Sequence, residues 1–92
     1  VLVVTHVKLQ KQTTALLNEF KELAKQLPEV QICLHVSSRW NFILHITAPT
    51  PQAYFQFIME RITGLENVAH LESHFVMKEC KSNGAFSLTT PG

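Results

Sequence analysis

Apolar, β-branched residues dominate positions 1–9, and with no helix-forming run among them they predict a strand. From Gln12 the period changes. Leu16, Phe20, Leu23 and Leu27 recur at helical spacing, joined by Leu17 and Ala24, while Asn18, Glu19, Lys21, Glu22 and Lys25 fall elsewhere. This predicts an amphipathic helix with one buried face, started by Thr13 or Thr14 and stopped by Pro28. Val30, Ile32, Leu34 and Val36 then alternate with Gln31, Cys33 and His35, a period of two that predicts a second strand. After a polar turn at 37–41 around Trp40, Phe42, Leu44, Ile46 and Ala48 alternate with Ile43, His45 and Thr47, so the two strands read as a hairpin. Thr50-Pro51 is a helix start, with an oxygen for the free amides and a proline where no amide is required. Phe55, Ile58 and Ile62 mark the expected buried stripe of this second helix, widened by Ala53, Phe57 and Met59, and Gly64 is expected to end it in a left-handed conformation. Leu71, Ser73, Phe75 and Met77 alternate with Glu72, His74, Val76 and Lys78 in a last strand.

Strand, helix, strand, strand, helix, strand is the order of an α+β, ferredoxin-like fold: a four-stranded antiparallel sheet with both helices on one face. The domain is expected to span residues 1–88, with 89–92 as a flexible tail. Alternation assigns Val30, Ile32, Leu34, Val36, Phe42, Leu44 and Ile46 to the helix-covered face. The bare face is then expected to carry Cys33, His35, Ile43, His45, Thr47, His6 or Val7, His74 and Val76. A face so mixed in polarity suits sheet-against-sheet packing in a homodimer, with His6, Cys33, His35 and His45 in the interface. A sharper alternative is a small dimeric enzyme or a haem- or metal-binding protein that uses converging imidazoles, with Cys33 near His35.

Composition narrows the function. One domain fits in 92 residues, and 46% hydrophobic residues are ample for its core. Charged residues make up only 16%, against about 25% in a typical domain, so part of the surface is expected to be covered by a partner. A net charge of +1 with no basic run excludes a nucleic-acid binder that works by electrostatics alone. The sequence has no apolar run of membrane-spanning length and no disulfide-dense pattern, so a cytoplasmic protein is expected. The start at Val1, inside a strand pattern, suggests part of a longer protein.

Motifs for catalysis are missing from the sequence. The glycines are isolated, so no phosphate loop exists. Cys33 and Cys80 have no specific spacing to a histidine, and Glu19, Glu22, Glu60 and Glu66 read as solvated. The expectation is no catalytic residue, no cofactor and no metal ligand. Trp40 stands out: a large aromatic in a short turn is expected at an interface or pocket mouth, or else folded back over its own sheet.

Leu27-Pro28-Glu29-Val30, the turn Val36-Ser37-Ser38-Arg39-Trp40-Asn41-Phe42-Ile43-Leu44, Ala48-Pro49 with Tyr54, and His74-Phe75-Val76-Met77-Lys78-Glu79-Cys80-Lys81 together resemble the C-terminal regulatory domain of the Lrp/AsnC family of transcription regulators. The resemblance covers nearly the whole chain. It implies dimerisation through the sheet, further assembly into a ring such as an octamer, and a small effector such as an amino acid bound between subunits. It also implies that DNA is read by a preceding helix-turn-helix domain, of which this sequence has no trace. The effector site then maps to Ser38, Arg39, Trp40 and Asn41, with His74, Phe75 and Val76 as a second wall from a neighbouring subunit. Where the family's turn usually has Gly and Asp, this chain has Ser38 and Asn41. Asn41 keeps hydrogen bonding without the negative charge that pairs with an ammonium, and Ser38 adds a side chain where a backbone approaches closely.

Overall fold

The computed structural model describes residues 1–82. The expected tail at 89–92, and the end of the domain at 88, lie outside them. The order is β1 (Leu2–Leu9), α1 (Thr14–Gln26), β2 (Val30–His35), β3 (Phe42–Thr47), α2 (Pro51–Arg61) and β4 (Val68–Phe75). The strands form one sheet in the order β2-β3-β1-β4, every pair antiparallel. This is the ferredoxin-like arrangement expected from the pattern of elements.

Local chemistry explains the helix ends. Thr13 caps α1, its hydroxyl accepting from the Leu16 amide at 3.2 Å, and Leu27 closes the helix directly before Pro28. Thr50 caps α2 in the same way from the Ala53 amide, with Pro51 in the first turn. The far end of α2 departs from expectation. Gly64 is not in the left-handed region. Instead the Thr63 amide reaches back to the Ile58 carbonyl at 2.8 Å, and its hydroxyl donates to the carbonyls of Ile58 and Met59. A hydroxyl residue does the work assigned to glycine, satisfying carbonyls that a helix end leaves open.

Both helices cover the same face of the sheet. Phe20 and Ala24 of α1 and Tyr54, Phe57 and Ile58 of α2 share one core with Val3, Val7, Leu9, Phe42, Leu44 and Ile46. The Phe20 ring stacks on Phe42 at 4.7 Å. The expected stripe on α2 needs correction: Phe55 is 50% exposed and Met59 71%, whereas Tyr54 is fully buried. Tyr54, Phe57, Ile58 and Ile62 form a helical stripe as good as the one through Phe55, and Tyr54 also finds polar partners inside. Its hydroxyl bonds Thr5 Oγ1 at 2.8 Å and Ser73 Oγ at 2.6 Å, which ties α2 to two adjacent strands.

A bulge in β2 corrects the face assignment. Val30 pairs with Ile46, but Ile32, not Gln31, pairs with His45, so the register slips by one residue. Every later side chain of β2 therefore changes face. Cys33 lies opposite Leu44 and His35 opposite Phe42, on the helix-covered side, while Ile32 and Leu34 turn to the bare side opposite His45 and Ile43. Cys33 packs against the core, and the edge-strand His35 ring lies 4.9 Å from Phe42. Neither belongs to the bare face to which alternation assigned it. On β1, Val3, Thr5, Val7 and Leu9 are the buried set, so the bare-face residue is His6 rather than Val7. β4 ends at Phe75, so Met77, at 94% exposure, is past the sheet.

Candidate functional site

The bare face carries Val4 and His6 on β1, Ile32 and Leu34 on β2, Ile43 and His45 on β3, and Glu72 and His74 on β4, as their cross-strand pairing requires. It is more apolar than expected, because the bulge exchanged Cys33 and His35 for Ile32 and Leu34. His45 is half-buried among these side chains, and its Nδ1 has no hydrogen-bond partner. Burial lowers its pKa, since the charged imidazolium would be poorly solvated there.

The 37–41 turn closes onto this face. Ser38 Oγ accepts from the Trp40 amide at 3.0 Å, a local bond that shapes the turn. The Arg39 guanidinium lies 5.8 Å from the Trp40 ring, and the Arg39 carbonyl accepts from Lys8 Nζ at 2.9 Å. Trp40 is folded back over its own sheet, edge-on to His6 at 5.6 Å, the second of the two placements expected for it. With Lys8, Arg39 and His70 it also lines a shallow cavity of about 330 Å³. Asn41 is a structural member of the turn: its Oδ1 accepts from the Leu9 amide at 2.7 Å, its amide donates to the Val7 carbonyl, and its carbonyl accepts from Val36. The bonds to Leu9 and Val7 continue the β1–β3 contact beyond its last ladder pair, Val7 with Phe42, and the bond from Val36 continues the β2–β3 hairpin beyond His35 with Phe42.

The second expected wall divides. His74 is on the bare face, 5.2 Å from the His6 ring, so His6 lies beside both Trp40 and His74 within one chain. Phe75 points to the other side and packs edge-on to Tyr54 at 5.5 Å and against Phe55 at 5.8 Å. Val76 follows the strand, its amide donating to the Leu2 carbonyl. One chain thus joins the turn to His74 through His6, but does not bring Phe75 to the same surface. Glu72, which was not among the residues expected on this face, stands opposite His6 and is the residue that sequence reasoning missed. Its Oε2 is 3.1 Å from His74 Nε2 and 3.9 Å from His6 Nδ1.

The sequence model of the Lrp/AsnC ligand binding domain matches residues 2–86. The chain belongs to this family. Among curated proteins it is 29% identical over 72 residues to the Bkd operon transcriptional regulator of Pseudomonas aeruginosa, covering 78% of this chain and 47% of that protein. It is 25% identical over 89 residues to the leucine-responsive regulatory protein of Klebsiella pneumoniae, covering 97% of this chain and 54% of the relative. The chain thus spans about half the length of these Lrp/AsnC relatives. A Neisseria meningitidis transcriptional regulator solved as a complex with L-methionine shares the fold at a TM-score of 0.82 and 22% identity, over 95% of this chain and 56% of that one. The family and the curated relatives are transcriptional regulators, not enzymes. Among the described residues, no helix is long and apolar enough to cross a membrane.

Proposed function

We propose that this chain is the effector-sensing and oligomerisation domain of an Lrp/AsnC-type transcription regulator. It dimerises through the bare sheet face, assembles further into a ring, and binds a small effector such as an amino acid between subunits beside the 37–41 turn. DNA would be read by a helix-turn-helix domain outside these residues, and the protein would act in the cytoplasm, where Cys33 and Cys80 remain thiols. The observation that carries this reading is an uncovered sheet face bearing Ile32, Leu34, Ile43 and Val4, in a chain whose family is a ligand-binding one. Leu34 is 40% exposed in the single chain, and such a surface is stabilised by burial against a second copy.

The mechanism is linkage. An effector held between subunits shifts assembly only by its differential affinity for the assembled and dissociated forms, and so changes the spacing of attached DNA-binding domains. Ser38, Arg39, Trp40 and Asn41 supply the turn, and His74, Phe75 and Val76 of a neighbouring copy supply the opposing wall at the sheet edge.

Two measurements test it. Leu34→Asp places a charge on the bare face, so sedimentation is expected to show dissociation with helix content unchanged; an unaltered oligomer overturns the sheet-face dimer. Calorimetric titration of amino acids is expected to show binding to the wild type that Asn41→Ala weakens at least tenfold. Equal binding by both proteins overturns the assignment of the turn.

A further inference from the structure

His6, Glu72 and His74 converge on the bare face for a topological reason. His6 and Glu72 are direct cross-strand partners of β1 and β4, and His74 stands two residues further along β4, on the same side. One donor atom from each lies within 4.8 Å of the other two. Hydrogen bonding within the trio does not account for this arrangement. Glu72 Oε2 meets His74 Nε2 at 3.1 Å, but His6 Nδ1, at 3.9 Å from the same oxygen, is beyond bonding distance. That Nδ1 is buried and without a partner, although the His6 ring is held by Trp40 on one side and His74 on the other.

The geometry points to a divalent transition-metal site, with zinc as the natural occupant, ligated by His6 Nδ1, one Glu72 carboxylate oxygen and His74 Nε2. Two imidazole nitrogens and a carboxylate are a common donor set for zinc, and three protein ligands leave a fourth tetrahedral position for water. Ligands at about 2.0–2.1 Å from a tetrahedral ion stand roughly 3.3 Å apart, so the His6–Glu72 separation has to close by about half an ångström and the His6–His74 separation, within 4.8 Å, by up to about 1.5 Å. Glu72 and His74, both about half exposed, are free to make these movements. Binding gives the unpartnered His6 nitrogen the partner it lacks. Cys33 and His35 take no part, because the β2 bulge holds them on the far side of the sheet. The site uses this chain's own residues and does not depend on an effector at the turn. It does lie on the proposed dimer face, so zinc would be enclosed when two sheets meet.

The test is calorimetric titration of the chelator-treated chain with Zn²⁺ alone. One ion per chain is expected to bind, with Glu72→Gln and His74→Ala each weakening affinity at least tenfold and His35→Ala leaving it unchanged. Glu72 and His74 are exposed, so these variants are expected to keep the wild-type circular dichroism spectrum. Absence of saturable zinc binding overturns the proposal. So does wild-type affinity in both ligand variants, or an equal loss in His35→Ala. Zinc binding is expected to persist in the Leu34→Asp protein, whose oligomeric state sedimentation reads separately, so failure of the dimer and failure of the zinc site are distinguishable.

Discussion

Tyr54→Phe tests the polar contact that locks α2 onto the sheet. The substitution keeps the ring that packs beside Phe75 and removes only the hydroxyl shared by Thr5 and Ser73. Thr5 is fully buried, so its hydroxyl would lose its side-chain partner with no access to water. A buried polar group left unsatisfied costs about 1–3 kcal/mol. Ser73 lies at the exposed edge strand and can bond to water instead, so its share is small. The expected loss is about 2 kcal/mol, and with a urea slope of about 1–2 kcal/mol per M for a small domain the midpoint falls by roughly 1–2 M. Unfolding should be followed at one fixed protomer concentration, because assembly contributes to apparent stability. The stronger test is the cycle with Thr5→Val. If the two hydroxyls stabilise each other, the double variant loses about 1 kcal/mol less than the sum of the single losses. A Tyr54→Phe protein within about 0.5 kcal/mol of wild type, or strictly additive losses, would refute the reasoning.

Asn41→Ala leaves the Leu9 amide without its acceptor and should lower stability by about 1–2 kcal/mol in urea unfolding, whereas Asn41→Asp keeps an oxygen there and should stay nearer the wild type. Equal losses would show that Oδ1 does not anchor the turn. His45 has a pKa below its usual 6.5 because it is buried, so between pH 6.5 and its lower folded value the unfolded chain binds more protons. Stability should therefore be highest above pH 6.5 and decline as the pH falls through that window, with a shallower decline in His45→Asn; matching pH profiles for the two proteins would contradict this. Burial raises the pKa of the Cys33 thiol, while Cys80 is exposed. Thiol alkylation at pH 8, read by peptide mass mapping, should consequently label Cys80 well before Cys33.

The sequence by itself determined the order of elements, both helix starts and the antiparallel sheet with helices on one side. Each of these depends on local periods and capping chemistry that act over a few residues, such as Thr13, Thr50-Pro51 and the spacing of Phe20 and Ala24. It also located the Trp40 turn and the family resemblance that the match over residues 2–86 upholds. Alternation read the faces of β3 correctly, but tertiary structure decided which side chains of β2 and α2 share a surface with them. Strict alternation has no means of counting a bulged residue, so one extra residue at Gln31 moved Cys33 and His35 to the core side and brought Ile32 and Leu34 out. Tyr54 displaced Phe55 from the core because Thr5 and Ser73, from β1 and β4, bond its hydroxyl, a partnership set by strands 49 and 19 residues away. His6, Glu72 and His74 have no recognisable spacing in the chain. They meet because the β1–β4 register sets His6 opposite Glu72, and pairing between distant strands is settled by packing the whole sheet rather than by any local signal.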